Sequence, residues 1–90
     1  MTTIRADIRN IAAPGALQVY LGFVLSAPDY YGRNLDALYD ILTERCHPLC
    51  LVMVTPETFS PEMAAYWPRL RRVLDDAAME NPNFTWKEEA

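Results

Sequence analysis

The chain has 90 residues, of which 51% are hydrophobic and 22% charged, and its formal net charge is −4. This length supports one domain with a modest core and leaves no room for a second domain or a large enclosed substrate cavity. The acidic balance argues against direct binding to nucleic acid, which needs a basic surface to displace phosphate counterions, and it favours a basic partner.

The first half of the chain predicts one strand and two helices. Alternating apolar residues predict a strand over 3–8, and apolar residues at helical spacing predict a helix over 13–25. A loop punctuated by proline and glycine follows over 26–33. Asn34 is a candidate N-cap for a second helix over about 35–44.

The second half predicts a buried strand, further helices and a last strand. The continuous apolar run at 49–54 is typical of a strand covered on both faces. The Thr-Pro pair at 55–56 and the Ser-Pro pair at 60–61 each predict a helix start, since both join an N-cap residue to a first-turn proline. The segment 68–80 carries an apolar stripe, and we expect its proline to bend or restart the helix. Alternation over 83–87 predicts the last strand.

The order of these elements predicts the fold. Helices between consecutive strands imply right-handed crossovers and a parallel sheet. We therefore expect an α/β fold, a three-stranded parallel sheet packed with about four helices, in a single domain over residues 1–90 with a frayed tail at 87–90. Neither a signal peptide nor a membrane-spanning run is recognisable, so we expect a cytoplasmic protein.

Two cysteines flank the single histidine in the segment C-H-P-L-C. One interpretation is a metal site formed by Cys46, His47 and Cys50. A structural zinc site needs four ligands, however, and the chain contains no further Cys or His. We therefore favour two reduced thiols at the start of a strand, and we expect no disulfide, no metal and no cofactor.

Two carboxylates are expected on the exposed face of the second helix. At 100° per residue, Asp36 and Asp40 lie opposite the apolar face, with Tyr39 at the border. The presence of an acid at Asp36 has two equally good explanations, namely the helix dipole, which favours a negative charge in the first turn, and a functional role. The dipole does not explain Asp40, which also repels Asp36 one turn away. A solvated surface would tolerate this repulsion, and a basic partner would neutralise both groups.

A pair of adjacent tyrosines precedes this helix. Tyr30 and Tyr31 lie in a short polar loop, so both cannot easily belong to the core. An exposed tyrosine beside a charged patch is typical of a binding hot spot. The alternative is that one ring is buried and the other is exposed without a role.

The segment P-D-Y-Y-G-R-N-L-D-A-L-Y-D-I-L-T, residues 28–43, resembles the barstar family, intracellular inhibitors of the bacterial ribonuclease barnase. The motif Y-Y-G-x-N-L-D-A-L-x-D is intact, and the order of the later strands and helix also fits, so the resemblance covers almost the whole chain. It implies a non-catalytic inhibitor that is monomeric when free. The implied partner is a secreted or toxin-type bacterial ribonuclease with a basic active site, and neither nucleic acid nor membrane is contacted directly.

The resemblance also implies which residues contact the nuclease. The aspartate that matches Asp40 enters the active site, at a place where an RNA phosphate would lie. An acid on the last helix, here Asp76, adds a second electrostatic contact, although it could instead pair with Arg72 one turn earlier. The other implied contacts are Tyr30, Tyr31, Asn34, Leu35, Asp36 and Tyr39.

Three residues depart from the family's pattern. Tyr39 stands where the family has a tryptophan and keeps the aromatic character. Ile41 stands where it has a cysteine, on the apolar side of the helix. Arg33 stands where it has an acid, which removes negative charge from the binding face and leaves the identity of the target open.

Two other functions are open to a chain of this kind. Asp36 and Asp40 could be an acid/base pair of an enzyme, but an exposed helix offers no pocket that would separate their pKa values. The chain could also be a regulatory protein-interaction module, or an immunity protein to another toxin, that keeps the fold. A ribonuclease gene beside its own gene would favour inhibition.

Overall fold

A computed structural model describes all residues, 1–90. The elements are β1 (Thr2–Asp7), α1 (Pro14–Val24), α2 (Leu35–Thr43), β2 (Leu49–Val54), α3 (Pro61–Glu80) and β3 (Phe84–Glu89). The strands form one sheet in the order β1-β2-β3, and both neighbouring pairs are parallel. The predicted α/β fold with a three-stranded parallel sheet is therefore confirmed.

The helices cover one face of this sheet. Leu51 of β2 belongs to the main core, whereas the next residue, Val52, points to the opposite face. In register, Val52 lies between Arg5 and Lys87, which are both exposed, while Val52 itself is buried. The expectation that β2 is covered on both faces agrees with the structure, because Leu51 on the core face and Val52 and Val54 on the opposite face are all buried. The strands lie in sequential order, and crossovers between parallel strands are right-handed. The connection from β1 to β2 and the connection from β2 to β3 therefore lie on the same face of the sheet.

The prediction of about four helices is wrong, because the structure has three. The Thr-Pro pair at 55–56 starts no helix. The backbone N–H of Thr55 donates to the carbonyl of Glu89 at 2.8 Å, and its hydroxyl donates to the same oxygen at 3.3 Å, so Thr55 prolongs the sheet. The helix starts at the second pair, where Ser60 Oγ accepts from the Met63 N–H at 3.3 Å.

The proline in the middle of α3 does not interrupt the helix. Pro68 lies inside one continuous helix of 20 residues. It removes the hydrogen bond to the carbonyl of Ala64. Both residues are exposed, so water can reach that carbonyl, and the apolar side of the helix keeps its packing.

The C-terminal tail is ordered, and the expectation that it frays is wrong. β3 pairs with β2 as far as Glu89. Arg5 Nη1 lies 2.7 Å from Glu89 Oε1, and Arg71 Nε lies 3.7 Å from Glu88 Oε1. Cross-strand and helix–strand ion pairs thus add to the backbone hydrogen bonds of this strand.

The core is built from pairs of leucines one helical turn apart. Leu17 and Leu21 of α1, Leu38 and Leu42 of α2, and Leu70 and Leu74 of α3 are all fully buried. Full burial of one such side chain contributes roughly 1.5–3 kcal/mol. Because its two buried leucines fix the rotation of α2, the opposite side of this helix is held towards solvent.

Candidate functional site

The start of α2 is fixed by its capping residue. Asn34 Oδ1 accepts a hydrogen bond from the Ala37 N–H at 2.8 Å, as predicted for an N-cap. Gly32 lies close by, and a Cβ at that position would stand 3.1 Å from Asn34 Nδ2. The glycine therefore leaves room for the asparagine side chain. A capped helix start places the following carboxylates in defined positions.

The two loop tyrosines differ in their environment. Tyr30 is 81% exposed, whereas Tyr31 is half-buried and packs against the core. The hydroxyl of Tyr31 donates to Oε1 of Gln18. Burial, with a smaller contribution from Tyr66, raises the pKa of Tyr31 to about 12, because partly buried surroundings disfavour the charged phenolate. Tyr31 anchors the loop, and Tyr30 presents an aromatic ring to solvent.

A surface depression brings several of the predicted residues together. It has a volume of about 360 Å³ and lies between the tyrosine loop and the exposed side of α2. We call it the carboxylate depression. The residues that line it are Tyr30, Tyr31, Gly32, Asn34, Asp36, Ala37, Asp40, Ile41 and Glu44. It contains five of the eight predicted contact residues and no basic side chain.

Glu44 belongs to this depression and was missed from the sequence. It is the C-cap residue of α2 and is exposed. Its spacing was an available signal, because Asp36, Asp40 and Glu44 follow one another at intervals of four residues and so share one side of a helix. Three carboxylates therefore line the depression.

The three other predicted contact residues lie outside the carboxylate depression. Leu35 is half-buried and lines a neighbouring groove, and Tyr39 is half-buried against the core. Asp76 is exposed on α3 in a separate hollow beside Arg72. The predicted alternative, an ion pair between Asp76 and Arg72, is absent, because the three ion pairs of the structure join other residues.

The carboxylates of the depression are free to accept hydrogen bonds from a partner. The side chains of Asp36 and Asp40 are exposed and form neither an ion pair nor a hydrogen bond within the chain. Such groups can form charge-assisted hydrogen bonds with arginine or lysine, and two parallel bonds with a guanidinium. The site is suited to a basic surface.

A buried hydrogen-bond network supports the tyrosine loop and was also missed from the sequence. Gln18 on α1 is only 2% exposed. Its Nε2 donates to the Tyr66 hydroxyl at 2.6 Å, and its Oε1 accepts from Tyr31. The network therefore joins α1, α3 and the loop. A glutamine within an apolar helix was the available signal, since a buried amide must find partners.

The cysteine-histidine segment shows no metal-ligand cluster. Cys46 is exposed, Cys50 is half-buried, and both are free thiols. No group of three or more His, Cys, Asp or Glu side chains is arranged to hold a metal ion. Separately, none of the helices combines the length and apolar character that a membrane crossing requires.

Two comparisons relate the chain to known proteins. The family described as "Barstar (barnase inhibitor)" matches residues 1–87. A Bacillus subtilis (strain 168) protein, named "Putative ribonuclease inhibitor YrdF", is 42% identical over 57 residues. That alignment covers 62% of this chain and 63% of the relative, so it spans less than two thirds of the relative's length.

Proposed function

The chain belongs to the barstar family, and we propose that it inhibits a bacterial ribonuclease by filling the enzyme's active site with the carboxylate depression. The observation that carries this proposal is the set of three exposed carboxylates on one side of α2, with no basic side chain among them. The similarity to a protein named as a ribonuclease inhibitor supports the same assignment.

Inhibition follows from the charge of the substrate. A ribonuclease binds RNA phosphates with arginine, lysine and histidine side chains. Asp40 stands more than one turn into α2, exposed and unpaired, so its carboxylate can take the place of a phosphate and accept hydrogen bonds from those groups. Asp36, one turn earlier, can neutralise a second basic side chain. RNA is then excluded from the active site.

The fold keeps this surface rigid, which limits the conformational entropy lost on binding. The buried leucines of α2 fix the helix, Asn34 fixes its first turn, and the hydroxyl of Tyr31 fixes the preceding loop. Tyr30 then covers apolar surface of the enzyme, as exposed aromatic residues do at binding hot spots. Asp76 adds an electrostatic contact from α3.

We propose no catalytic activity for the chain itself. The two aspartates of the carboxylate depression are both exposed, so they have the same kind of open environment. A general acid and a general base need environments that push their pKa values apart. The carboxylates therefore act as hydrogen-bond acceptors.

The test is depletion of ribonuclease activity. The purified protein is immobilised and mixed with lysate and secreted proteins of the organism that encodes it, and with purified barnase as a reference enzyme. RNA cleavage in the unbound fraction is then measured. We expect the wild-type protein to remove a ribonuclease, and the eluted enzyme to be inhibited when the protein is added back.

Two variants control this experiment. Asp40→Asn keeps the shape of the side chain and removes its charge, so it should capture far less ribonuclease. Lys87→Gln changes the net charge by one unit on β3 and should capture as much as the wild type. If neither barnase nor any other ribonuclease is depleted or inhibited, the proposal is wrong. If a ribonuclease is captured but stays active, the chain is an interaction module.

A further inference from the structure

A second concave surface lies directly beside the carboxylate depression. This groove has a volume of about 370 Å³ and lies where the N-terminal ends of α1 and α2 meet α3. Asn34 and Asp36 line both surfaces. A protein that covers the carboxylate depression is therefore in reach of the groove, which we call the arginine groove.

The arginine groove has the opposite charge. Arg33 and Arg69 line it, against the single carboxylate of Asp36. Neither guanidinium forms an ion pair within the chain. The three ion pairs of the structure involve Arg5, Arg9 and Arg71 instead. Both residues are exposed. Two positive charges are thus concentrated beside three carboxylates in a chain whose net charge is −4.

The side chain of Arg69 lies against an aromatic ring that is itself held by a hydrogen bond. Its Cζ lies 5.8 Å from the centre of the Tyr66 ring, and the Tyr66 hydroxyl accepts a hydrogen bond from the buried amide of Gln18. Contact with an aromatic ring restricts the guanidinium while leaving its N–H groups available. An arginine held in this way loses less conformational entropy when it binds an acidic group.

Arg33 has an unfavourable backbone conformation. Its φ is +55°, in the left-handed region that glycine and asparagine tolerate and other residues rarely adopt. The side chain of Arg33 is exposed and forms no ion pair within the chain that would offset this cost. Backbone strain of this kind is concentrated at functional sites. A contact made by the side chain would explain why arginine stands at this position.

We propose that the arginine groove is a second contact for the same ribonuclease, and that it receives an aspartate or glutamate side chain of that enzyme between Arg33 and Arg69. This inference rests on the proposed function and adds a determinant of partner choice to it. An RNA phosphate is a poorer occupant, because the three carboxylates next to the groove repel a polyanion. A protein surface can instead present basic groups to the depression and one acid to the groove.

The proposal is tested by whether removal of a positive charge from the inhibitor strengthens or weakens its binding to the ribonuclease. If the enzyme is simply basic, removal of a positive charge from the inhibitor speeds association and tightens binding. If Arg33 and Arg69 bind an acid, Arg33→Gln and Arg69→Gln each raise the dissociation rate, by about 5- to 20-fold. The ribonuclease depleted in the experiment above is the probe, and stopped-flow kinetics and Kd are measured. Lys87→Gln is the control with the same charge change.

Two further measurements separate binding from folding. Arg33→Gly relieves the backbone strain, so it should raise the Tm of the free protein and still weaken the complex. Acidic residues of the enzyme are then replaced one at a time by the matching amide. One of these substitutions should weaken binding to the wild type, and should have less than about a twofold effect on binding to the double variant that carries Arg33→Gln and Arg69→Gln.

The outcomes distinguish the two claims. If the wild-type protein captures and inhibits no ribonuclease, the proposed function fails and this inference fails with it. If the wild type inhibits while Arg33→Gln and Arg69→Gln bind as tightly or more tightly, the inference alone is overturned. Weaker binding without any coupled acid on the enzyme would also overturn it.

Discussion

The hydroxyl of Tyr31 donates a hydrogen bond to Oε1 of Gln18, a residue that lies 13 positions earlier on α1. The same amide donates from Nε2 to Tyr66 on α3 at 2.6 Å. The loop before α2 is thereby attached to two helices that precede and follow it. The buried amide of Gln18 thus holds Tyr31, which forms one wall of the carboxylate depression.

Removal of the Tyr31 hydroxyl should destabilise the fold. Tyr31→Phe leaves the buried Gln18 carbonyl without its donor, and we expect the free energy of unfolding to fall by about 1–3 kcal/mol. Tyr30→Phe is the matched control, because Tyr30 is 81% exposed, and it should change the free energy by less than about 0.5 kcal/mol. Urea denaturation of both variants measures this. Equal stability of the two would mean that the hydrogen bond contributes nothing.

Alkaline pH should reduce stability through the same tyrosine. Burial raises the pKa of Tyr31 from 10.0 to about 12 in the folded protein, so the unfolded chain loses this proton first. The contribution of protonated Tyr31 to the free energy of unfolding is therefore complete below about pH 10, and it is lost as the pH rises through about 12. Denaturation curves across this range should fall more steeply for the wild type than for Tyr31→Phe. Parallel curves would contradict the assignment.

Asp40→Ala should separate binding from folding. The Asp40 side chain makes no hydrogen bond within the chain, so its removal should leave the free protein folded, and slightly more stable since repulsion with Asp36 is relieved. Binding to the ribonuclease should weaken by about 2–5 kcal/mol, because basic groups of the enzyme are left buried and unpaired. Calorimetric titration and thermal unfolding measure the two effects.

Asp36→Ala should affect folding stability more, and binding less, than Asp40→Ala does. Asp36 lies in the first turn of α2, where the helix dipole favours a negative charge, so its loss should cost about 0.3–1 kcal/mol of folding stability. Its effect on binding should be smaller than that of Asp40→Ala. If Asp40→Ala binds like the wild type while inhibition persists, the inhibitor uses a different surface.

Salt should slow the association of the complex. The carboxylates at Asp36, Asp40 and Glu44 are exposed and attract a basic enzyme at long range. At physiological ionic strength this attraction is screened beyond about 8 Å. We expect the association rate to fall steeply as salt increases, with a smaller change in the dissociation rate. An association rate that is independent of salt in stopped-flow measurements would oppose this mechanism.

The purified protein should neither bind nor cleave RNA. Its net charge is −4, and the depression has no basic side chain to hold a phosphate. Gel-shift and RNA-cleavage assays at low salt, with and without divalent metal ions, test this expectation. Nuclease activity that follows the protein through purification and disappears in Asp36→Ala or Asp40→Ala would show that the chain is an enzyme.

Local patterns in the sequence were enough to predict the helix that carries the candidate site and the exposure of its two aspartates. The helix α2 was predicted from the N-cap residue Asn34 and from apolar residues at helical spacing, and the structure has both. The same periodicity placed Asp36 and Asp40 on the exposed face. These features depend on residues within a few positions of one another. The three strands and their parallel order were predictable for a similar reason, since helices between strands exclude hairpins.

What only the tertiary structure decided depends on residues far apart in the sequence. Thr55 could have capped a helix, but hydrogen bonds to Glu89, 34 residues later, place it at the end of the sheet. Pro68 could have ended a helix, but the buried leucines that follow it keep α3 packed as one element. Long-range packing and hydrogen bonds outweigh the small local preferences that propensity rules describe. The partners of Gln18, the ordered tail and the arginine groove beside the depression have the same origin, because each is formed by contacts between elements rather than within one.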